Sequence, residues 1–400
     1  MNLFNRDIDK DNYIDRHGNK KSHTSAYYKR VKQLHRRGIA AGIGAVALTA
    51  AVGVVLVRGL VFGGSTVDAA EKPKTVKTEE KKTEAISIDP DTEQVVVKEK
   101  EPEQEGPFFK GYEPYEDEST KTTDTTYVNS KYSVLINLDT GHVEAERSAD
   151  EVISPASMTK ILTVLTAADH LKSEDSLNDK VTISTNMTDY PYVNDCSTAG
   201  FAIGETVTVK DLFYGTILPS GGDAAMALAY YTTGTTDMAD FVKLMNEKVE
   251  ELGLSDTAHF QNPIGIYDEN NHCTVKDMAM ILKAAMENEF VQEVMSTHIY
   301  VTTKTEQHPD GITISNLFLR RIEDKDTHGT VVAAKTGFVV QSRNCAASYG
   351  VSDEGTNYVC VTGNAHSAWR AIYDHVAIYD QYTGSNKGTV SKEVPLNTDY

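Results

Sequence analysis

Residues 157–168 read SMTKILTVLTAA, and Pro155 lies just ahead of them. Their apolar residues, together with that proline, predict the first turns of a buried helix. Ser157 and Lys160 are three residues apart, so a helix would place both side chains on one face with the amine near the hydroxyl. A partly desolvated lysine can take the proton of a serine, which is otherwise a poor nucleophile. The stretch predicts a serine nucleophile with a lysine base, although the pattern alone is common and two later motifs give it weight.

The second motif is Pro-Ser-Gly-Gly-Asp at residues 219–223, between two apolar stretches with helical spacing. A turn of this composition can project Ser220 into a cleft. Taken alone, the motif is more typical of an ordinary turn between helices with a capping serine.

The third motif is Ala334-Lys335-Thr336-Gly337-Phe338, on an apolar stretch that predicts a strand. A lysine and a threonine beside a glycine on an edge strand make a surface that can bind a carboxylate. Gly337 would allow an extended substrate backbone to approach the strand closely. Taken alone, Lys335 is equally a surface lysine at the end of a strand.

In this order the three motifs resemble the S-x-x-K, S-D-N and K-T-G set of penicillin-binding proteins and β-lactamases. Residues 127–382 resemble the serine D-alanyl-D-alanine carboxypeptidases, the low-molecular-mass penicillin-binding proteins of the serine β-lactamase-like superfamily. Further stretches carry the resemblance: residues 137–141, 154–160, 262–265 and 274–277.

The resemblance implies a role for each residue of the first two motifs. Ser157 would form the acyl-enzyme, with Lys160 as its general base. Ser220 would relay protons and would be linked to Lys335. Water would then hydrolyse the acyl-enzyme, and the reaction would need no metal and no organic cofactor.

The resemblance also implies how substrate is bound. Lys335 and Thr336 would bind the terminal carboxylate of a D-Ala-D-Ala peptide, next to Gly337 and Phe338. The backbone N–H groups of Ser157 and Phe338 would form an oxyanion hole.

The sequence departs from the family at the second motif. The family usually has Ser-x-Asn, and this chain has Gly222 where the asparagine would stand. A glycine has no amide to bond the substrate or Lys160; Asp223 and Asn344 are the candidates to replace it. Arg343 either assists in binding the carboxylate or is a solvated arginine.

The predicted function is a carboxypeptidase that removes the terminal D-alanine from peptidoglycan stem peptides and is acylated by penicillin on Ser157. Three alternatives stay open. A D,D-endopeptidase would use the same residues. A β-lactamase would need a second base, and no Glu-x-x-Leu-Asn element lies between the first and third motifs. A non-catalytic cell-wall-binding or β-lactam-sensing protein is favoured only by Gly222.

The fold class expected is α+β, a β-lactamase/transpeptidase-like domain with an antiparallel sheet and a helical cluster. Residues 132–138 and 142–145 predict a hairpin, and residues 331–334, 344–349 and 357–362 predict later strands. The helical patterns lie between these two groups of strands, an order typical of an antiparallel sheet with helices beside it. Thr208-Val-Lys-Asp and Thr274-Val-Lys-Asp each have the spacing of a helix capping box.

Five segments are predicted along the chain: a basic cytoplasmic segment (1–37), a transmembrane signal-anchor (38–62), a disordered extracytoplasmic linker (63–126), a catalytic domain (127–385) and a polar tail (386–400). Residues 38–57 contain no charged residue, and twenty residues of helix can span a bilayer core. Because the segment before them is basic, we expect a single-pass protein of the cell membrane with its catalytic domain outside. A signal peptide cleaved near residues 67–69 is the alternative.

The composition limits the classes of partner that this protein is expected to bind. The net charge of −19 argues against nucleic acid, because phosphate binding needs a basic surface. No CxxC pair occurs among the four cysteines, so no zinc site is predicted. Cys345 and Cys360 lie in two apolar stretches around a turn-like segment. Buried thiols are the favoured interpretation, and a disulfide across a hairpin is the alternative.

Overall fold

The computed structural model describes residues 108–384 and 394–397, and the backbone of four short strands nearer the N terminus. Those strands form two antiparallel pairs within residues 1–98, which are a separate unit from residues 99–400. They are β1 (Asn12–Ile14), β2 (Lys20–Ser22), β3 (Ile86–Ile88) and β4 (Val95–Val97). The predicted membrane anchor at 38–62 lies outside the described residues. Among the residues that are described, no helix combines the length and the hydropathy that crossing a bilayer requires.

The strands of the second unit form one main sheet and two small antiparallel pairs. They are β5 (Lys121–Thr122), β6 (Tyr132–Asn137), β7 (Val143–Arg147), β8 (Lys180–Thr182), β9 (Thr206–Thr208), β10 (Ile299–Val301), β11 (Thr313–Ser315), β12 (Gly329–Val339), β13 (Arg343–Ser352) and β14 (Asn357–Ala365). The main sheet has the order β12-β13-β14-β6-β7-β5, and only the pairing of β5 with β7 is parallel. The expected antiparallel sheet is confirmed, and β12, which carries the third motif, lies at its edge.

The helices of the described residues lie mostly between the two groups of strands, as the sequence predicted. They are α1 (Thr159–Asp169), α2 (Thr185–Val193), α3 (Val209–Ile217), α4 (Gly222–Thr233), α5 (Met238–Glu251), α6 (Val275–Glu287), α7 (Glu289–Met295), α8 (Leu319–Ile322) and α9 (Ala368–Tyr382). Short 3-10 helices cover Ala156–Met158 and Glu174–Asn178. Both capping boxes are confirmed: Asp211 N–H donates to Thr208 Oγ1 over 3.0 Å, and Asp277 N–H donates to Thr274 Oγ1 over 3.0 Å.

Both faces of the sheet are covered by helices. Leu135 and Cys360 face each other across β6 and β14 and belong to one apolar cluster with Ile372 and Val376 of α9. Successive residues of a strand point to opposite faces, and the neighbours of Leu135 are equally buried. Helix α6 also contacts β6, β13 and β14. The apolar stretch at residues 134–136 of β6 is consistent with a strand that is buried on both faces.

Helix α9 was not predicted, and it ties the start of the domain to the C-terminal tail. The buried Arg370 pairs with Asp374 at 3.0 Å and donates to the carbonyl oxygens of Tyr127 and Pro395. The Asp374 carboxylate in turn accepts from the backbone N–H of Ser130 over 2.7 Å. The described part of the predicted polar tail is therefore held on the domain by the Arg370 guanidinium.

Residues 108–126, predicted as disordered linker, pack on the domain instead. Phe109 is buried, its N–H donates to Leu138 O over 2.6 Å, and β5 joins the sheet. The ammonium of the buried Lys283 lies 5.0 Å from the centre of the Phe109 ring and 4.1 Å from that of Tyr112. Aromatic faces attract a desolvated cation. These contacts with Lys283 help to hold the polar tract on the domain, although its composition predicts disorder.

The alternative prediction of a disulfide between Cys345 and Cys360 is wrong. All four cysteines are described, and each is a free thiol. Cys345 lies opposite Gly337 on β12, whereas the residue opposite Cys360 is Ser348. The favoured interpretation of two buried thiols is confirmed, since their exposures are 1% and 0%.

Candidate active site

The first motif brings a hydroxyl and a buried amine together. Ser157 lies in the 3-10 turn that leads into α1, and Lys160 lies in the first turn of that helix. Lys160 Nζ is 3.0 Å from Ser157 Oγ and donates to Ile264 O over 2.7 Å. Burial lowers the pKa of Lys160 to about 8, against a smaller rise caused by Cys196 and Asp223. The amine can therefore lose its proton near neutral pH, as a general base for Ser157 must.

A loop at residues 262–265 positions the lysine. Asn262 Oδ1 accepts from the backbone N–H groups of Ile264 and Gly265 over 3.2 and 2.7 Å, which fixes the carbonyl that Lys160 bonds. Gly265 has φ +89, and a Cβ there would lie 1.8 Å from Ala156 O. Only glycine fits this position. The sequence contained this stretch as part of the family resemblance, but its Asn-Pro-x-Gly turn was given no role.

The second motif presents its serine from a strained turn between α3 and α4. Ser220 has φ +62, a conformation that residues other than glycine rarely adopt. Its Oγ accepts a 2.8 Å hydrogen bond from Lys335 Nζ. A serine with a left-handed backbone conformation persists where the surrounding structure holds it, and such residues often occur at functional sites.

The third motif provides a second buried lysine. Lys335 is 2% exposed and donates to Ser220 Oγ and to Thr336 O, the latter over 2.7 Å. Burial, and then repulsion from Lys160, lower its pKa well below the usual value. Two desolvated amines whose hydrogen-bond acceptors are neutral oxygens make this site attractive to an anion, such as a carboxylate.

Gly337 brings the edge strand against the first motif. A Cβ at this position would lie 2.9 Å from Pro155 O and 3.0 Å from the backbone nitrogen of Ser157. The sequence predicted that this glycine admits a substrate; the structure shows that it also admits the turn that carries Ser157. The next residue, Phe338, is 60% exposed beside that turn.

The three motifs thus border one region, which we call the three-motif site: Ser157, Lys160, Ser220, Lys335 and Thr336. The two residues proposed to replace the missing asparagine face elsewhere. Both carboxylate oxygens of Asp223 accept from the backbone at residues 199 and 200, and the amide of Asn344 donates to Ala365 O.

Comparison with known proteins gives the family. A family model described as D-alanyl-D-alanine carboxypeptidase, peptidase S11, matches residues 118–366. The chain belongs to this family.

Among D-alanyl-D-alanine carboxypeptidases, DacF of Bacillus subtilis (strain 168) is 35% identical over 183 residues, 44% of each chain. The D-alanyl-D-alanine carboxypeptidase of Streptomyces sp. (strain K15) is 33% identical over 214 residues, which is 52% of this chain and 72% of that one. The chain thus spans less than half the length of the Bacillus relative that it matches.

A solved structure shows that the likeness includes the fold. The crystal structure of the Streptomyces K15 DD-transpeptidase aligns with a TM-score of 0.57 and 27% identity, over 64% of this chain and 98% of that one. This family member therefore has the mixed α+β transpeptidase-like fold expected from its sequence.

Proposed function

We propose that this protein is a serine-type D-alanyl-D-alanine carboxypeptidase that removes the terminal D-alanine from peptidoglycan stem peptides. The observation that carries the proposal is the 3.0 Å contact between Ser157 Oγ and the buried Lys160 Nζ. Membership of a family described as D-alanyl-D-alanine carboxypeptidase supports the proposed activity.

In the first step, Ser157 Oγ attacks the carbonyl carbon of the penultimate D-alanine while Lys160 Nζ accepts the hydroxyl proton. The peptide bond breaks, the leaving amine takes a proton relayed through Ser220, and D-alanine departs. In the second step, water attacks the ester and releases the shortened peptide. A positioned base supplies about 10²–10⁴-fold in such a step, most when its pKa is near the working pH.

Lys335 and Thr336 are proposed to bind the substrate carboxylate, which Gly337 and Phe338 flank. This proposal has an electrostatic consequence. A carboxylate at Lys335 would raise the pKa of that lysine and keep it charged, and the charge would favour the unprotonated form of Lys160. The N–H groups of Ser157 and Phe338 are proposed as the oxyanion hole, where each donor can contribute about 3 kcal/mol.

The partners follow from the reaction. Stem peptides ending in D-Ala-D-Ala are the proposed substrates, and β-lactams the proposed inhibitors that acylate Ser157. The uncharged stretch at 38–57 supports a single-pass anchor in the cell membrane with the catalytic domain outside. The proposed reaction requires neither a metal nor an organic cofactor.

The test is release of free D-alanine from diacetyl-Lys-D-Ala-D-Ala by the full chain in detergent. We expect release by the wild type and none by Ser157→Ala, with thermal unfolding of the two compared to show that both fold. Mass spectrometry of the peptide product, with and without an added amine, distinguishes hydrolysis from transfer to an acceptor. Release that survives Ser157→Ala would refute the assignment of the nucleophile.

A further inference from the structure

The outer edge of β12 changes from buried to exposed within the third motif. Among the described strands, β12 pairs only with β13, so its other edge faces away from the sheet. Residues 331–335 of β12 are all buried, whereas Thr336 is half-buried and Phe338 is 60% exposed. A substrate that pairs with this edge can therefore reach the strand only from Thr336 onwards.

Asn316 lies at the point where the edge becomes buried. This asparagine is 3% exposed, and its Nδ2 donates to Ala334 O over 2.8 Å. Alternate residues of a strand direct their backbone groups to the same edge, so Ala334, Thr336 and Phe338 form one row. The next carbonyl of the row, Thr336 O, accepts from Lys335 Nζ over 2.7 Å. The Asn316 amide thus occupies the carbonyl with which a longer chain would pair.

Asn316 is held by its own loop as well as by the strand. Its Oδ1 accepts from the backbone N–H groups of Phe318 and Leu319 over 3.1 and 3.3 Å. Its own N–H donates to His298 O over 2.9 Å. Phe318 and Leu319 are buried in the same apolar cluster as Ala334. Because both the oxygen and the nitrogen of the amide are bonded, the side chain is a fixed boundary of the edge.

The proposed function sets the direction of the substrate along β12. The scissile carbonyl would lie at the N–H of Phe338, and the terminal carboxylate would lie at Lys335 and Thr336. The peptide would therefore run from Phe338 towards Ala334. Each residue of an extended chain advances about 3.3 Å. A residue added after the terminal D-alanine would continue towards Ala334 and would meet Asn316.

We propose that Asn316 is a specificity-determining residue, which closes the edge of β12 beyond Thr336 and excludes peptides that continue past the terminal D-alanine. The inference rests on the proposed function, because it uses the placement of the substrate carboxylate at Lys335 and Thr336. It deepens that function by giving a physical reason why the substrate must end at this position. An endopeptidase on the same fold would need this part of the edge to be open.

The experiment compares two peptides as substrates of the full chain in detergent. One is diacetyl-Lys-D-Ala-D-Ala, and the other carries one glycine after the terminal D-alanine. Chromatography with mass spectrometry measures cleavage of the D-Ala–D-Ala bond, which releases D-alanine from the first peptide and D-alanyl-glycine from the second. We expect kcat/KM of the wild type to be about 100-fold higher for the shorter peptide.

Variants of Asn316 separate the bulk of its side chain from its hydrogen bonds. Asn316→Ser is too short to reach Ala334 O, but its hydroxyl can still accept from the Phe318 N–H. Asn316→Leu loses every hydrogen bond of the amide and fills a similar space. We expect Asn316→Ser to reduce the preference for the shorter peptide about tenfold and Asn316→Leu to retain it. Asn316→Ala is a second shortened variant, and thermal unfolding shows which variants fold.

Three results would count against the inference. Equal cleavage of the two peptides by the wild type would overturn it and leave the carboxypeptidase proposal intact. An unchanged preference in the shortened variants, or an equal loss in Asn316→Leu, would overturn it as well, because the bulk of Asn316 would then not set the boundary. A wild type that releases no D-alanine from the shorter peptide would contradict the proposed function, and the inference with it.

Discussion

The site contains two serine–lysine pairs of nearly equal geometry and different origin. The local pair is Ser157 and Lys160, 3.0 Å apart in space and three residues apart in sequence. The cross pair is Ser220 and Lys335, 2.8 Å apart in space and 115 residues apart in sequence. One helical turn fixes the local pair, whereas the cross pair depends on the packing of β12 against the turn before α4.

The difference teaches which part of the chemistry each pair can carry. Both lysines are almost fully buried, so burial lowers the pKa of both. A pair within one helical turn keeps its geometry when other elements shift, which suits the proton transfer that starts the reaction. A pair that joins two elements forms only when the site is assembled, which suits recognition of the substrate carboxylate.

The largest expected effect comes from breaking the local pair. Lys160→Ala removes the proposed base, and we expect the rate of acylation by a fluorescent penicillin to fall about 10³-fold. Lys243→Ala is the matched control, because that lysine is exposed, and it should react at the wild-type rate. Acylation of Lys160→Ala at a rate near the wild type would assign the base to another residue.

Breaking the cross pair should produce a smaller and substrate-dependent loss. Lys335→Ala removes the proposed partner of the carboxylate, a charge-assisted contact worth about 2–3 kcal/mol in a desolvated site, or about 30–150-fold in kcat/KM. A substrate ending in D-alaninamide has no such charge and should lose much less. Equal losses on the two peptides would mean that Lys335 acts in the chemistry and not in recognition of the carboxylate.

The same contrast explains what the sequence could predict. The local pair was found because its spacing encodes its geometry, and the strands were found as short apolar stretches bounded by turn residues. Helix α9 was missed because polar residues occupy its inner face: His375 is fully buried and bonded to Ser348 and Thr362. Such positions interrupt the apolar period that predicts a helix.

The packing of residues 191–196 against Gly222 and of residues 108–126 against Lys283 depends on contacts between distant segments. Nothing near Cys196 in the sequence points to Gly222, and only two adjacent phenylalanines mark the polar tract that packs on Lys283. Spatial complementarity of this kind is a property of the assembled fold. The available signal for the contact at Gly222 was a glycine at a motif position that usually carries a side chain.

The pH dependence sharpens the comparison between the two lysines. Because Lys160 must be unprotonated and its pKa is about 8, log(kcat/KM) for acylation should rise with slope one up to about pH 8 and then level off. Each pH unit below that value should cost about tenfold in rate. Lys335 is not among the groups that shift the pKa of Lys160, so Lys335→Ala should leave this limb in place. A limb that moves would show that Lys335 carries a charge in the free enzyme while Lys160 titrates.

The smallest expected effect tests whether the second motif is complete as it stands. Gly222→Asn restores the usual family residue, but its Cβ would meet Pro191 at 2.9 Å, so we expect destabilisation of about 1–3 kcal/mol and acylation a few-fold slower. Gly234→Asn is the matched control: that position has φ +70, which asparagine tolerates, and open space around it. Thermal unfolding and penicillin labelling of both variants provide the comparison. Faster acylation by Gly222→Asn would mean that the site lacks a contact that the asparagine supplies. Slower acylation would mean that residues 191–196 have taken the place of that side chain. The surroundings of the cross pair would then depend on a segment that no sequence motif identifies.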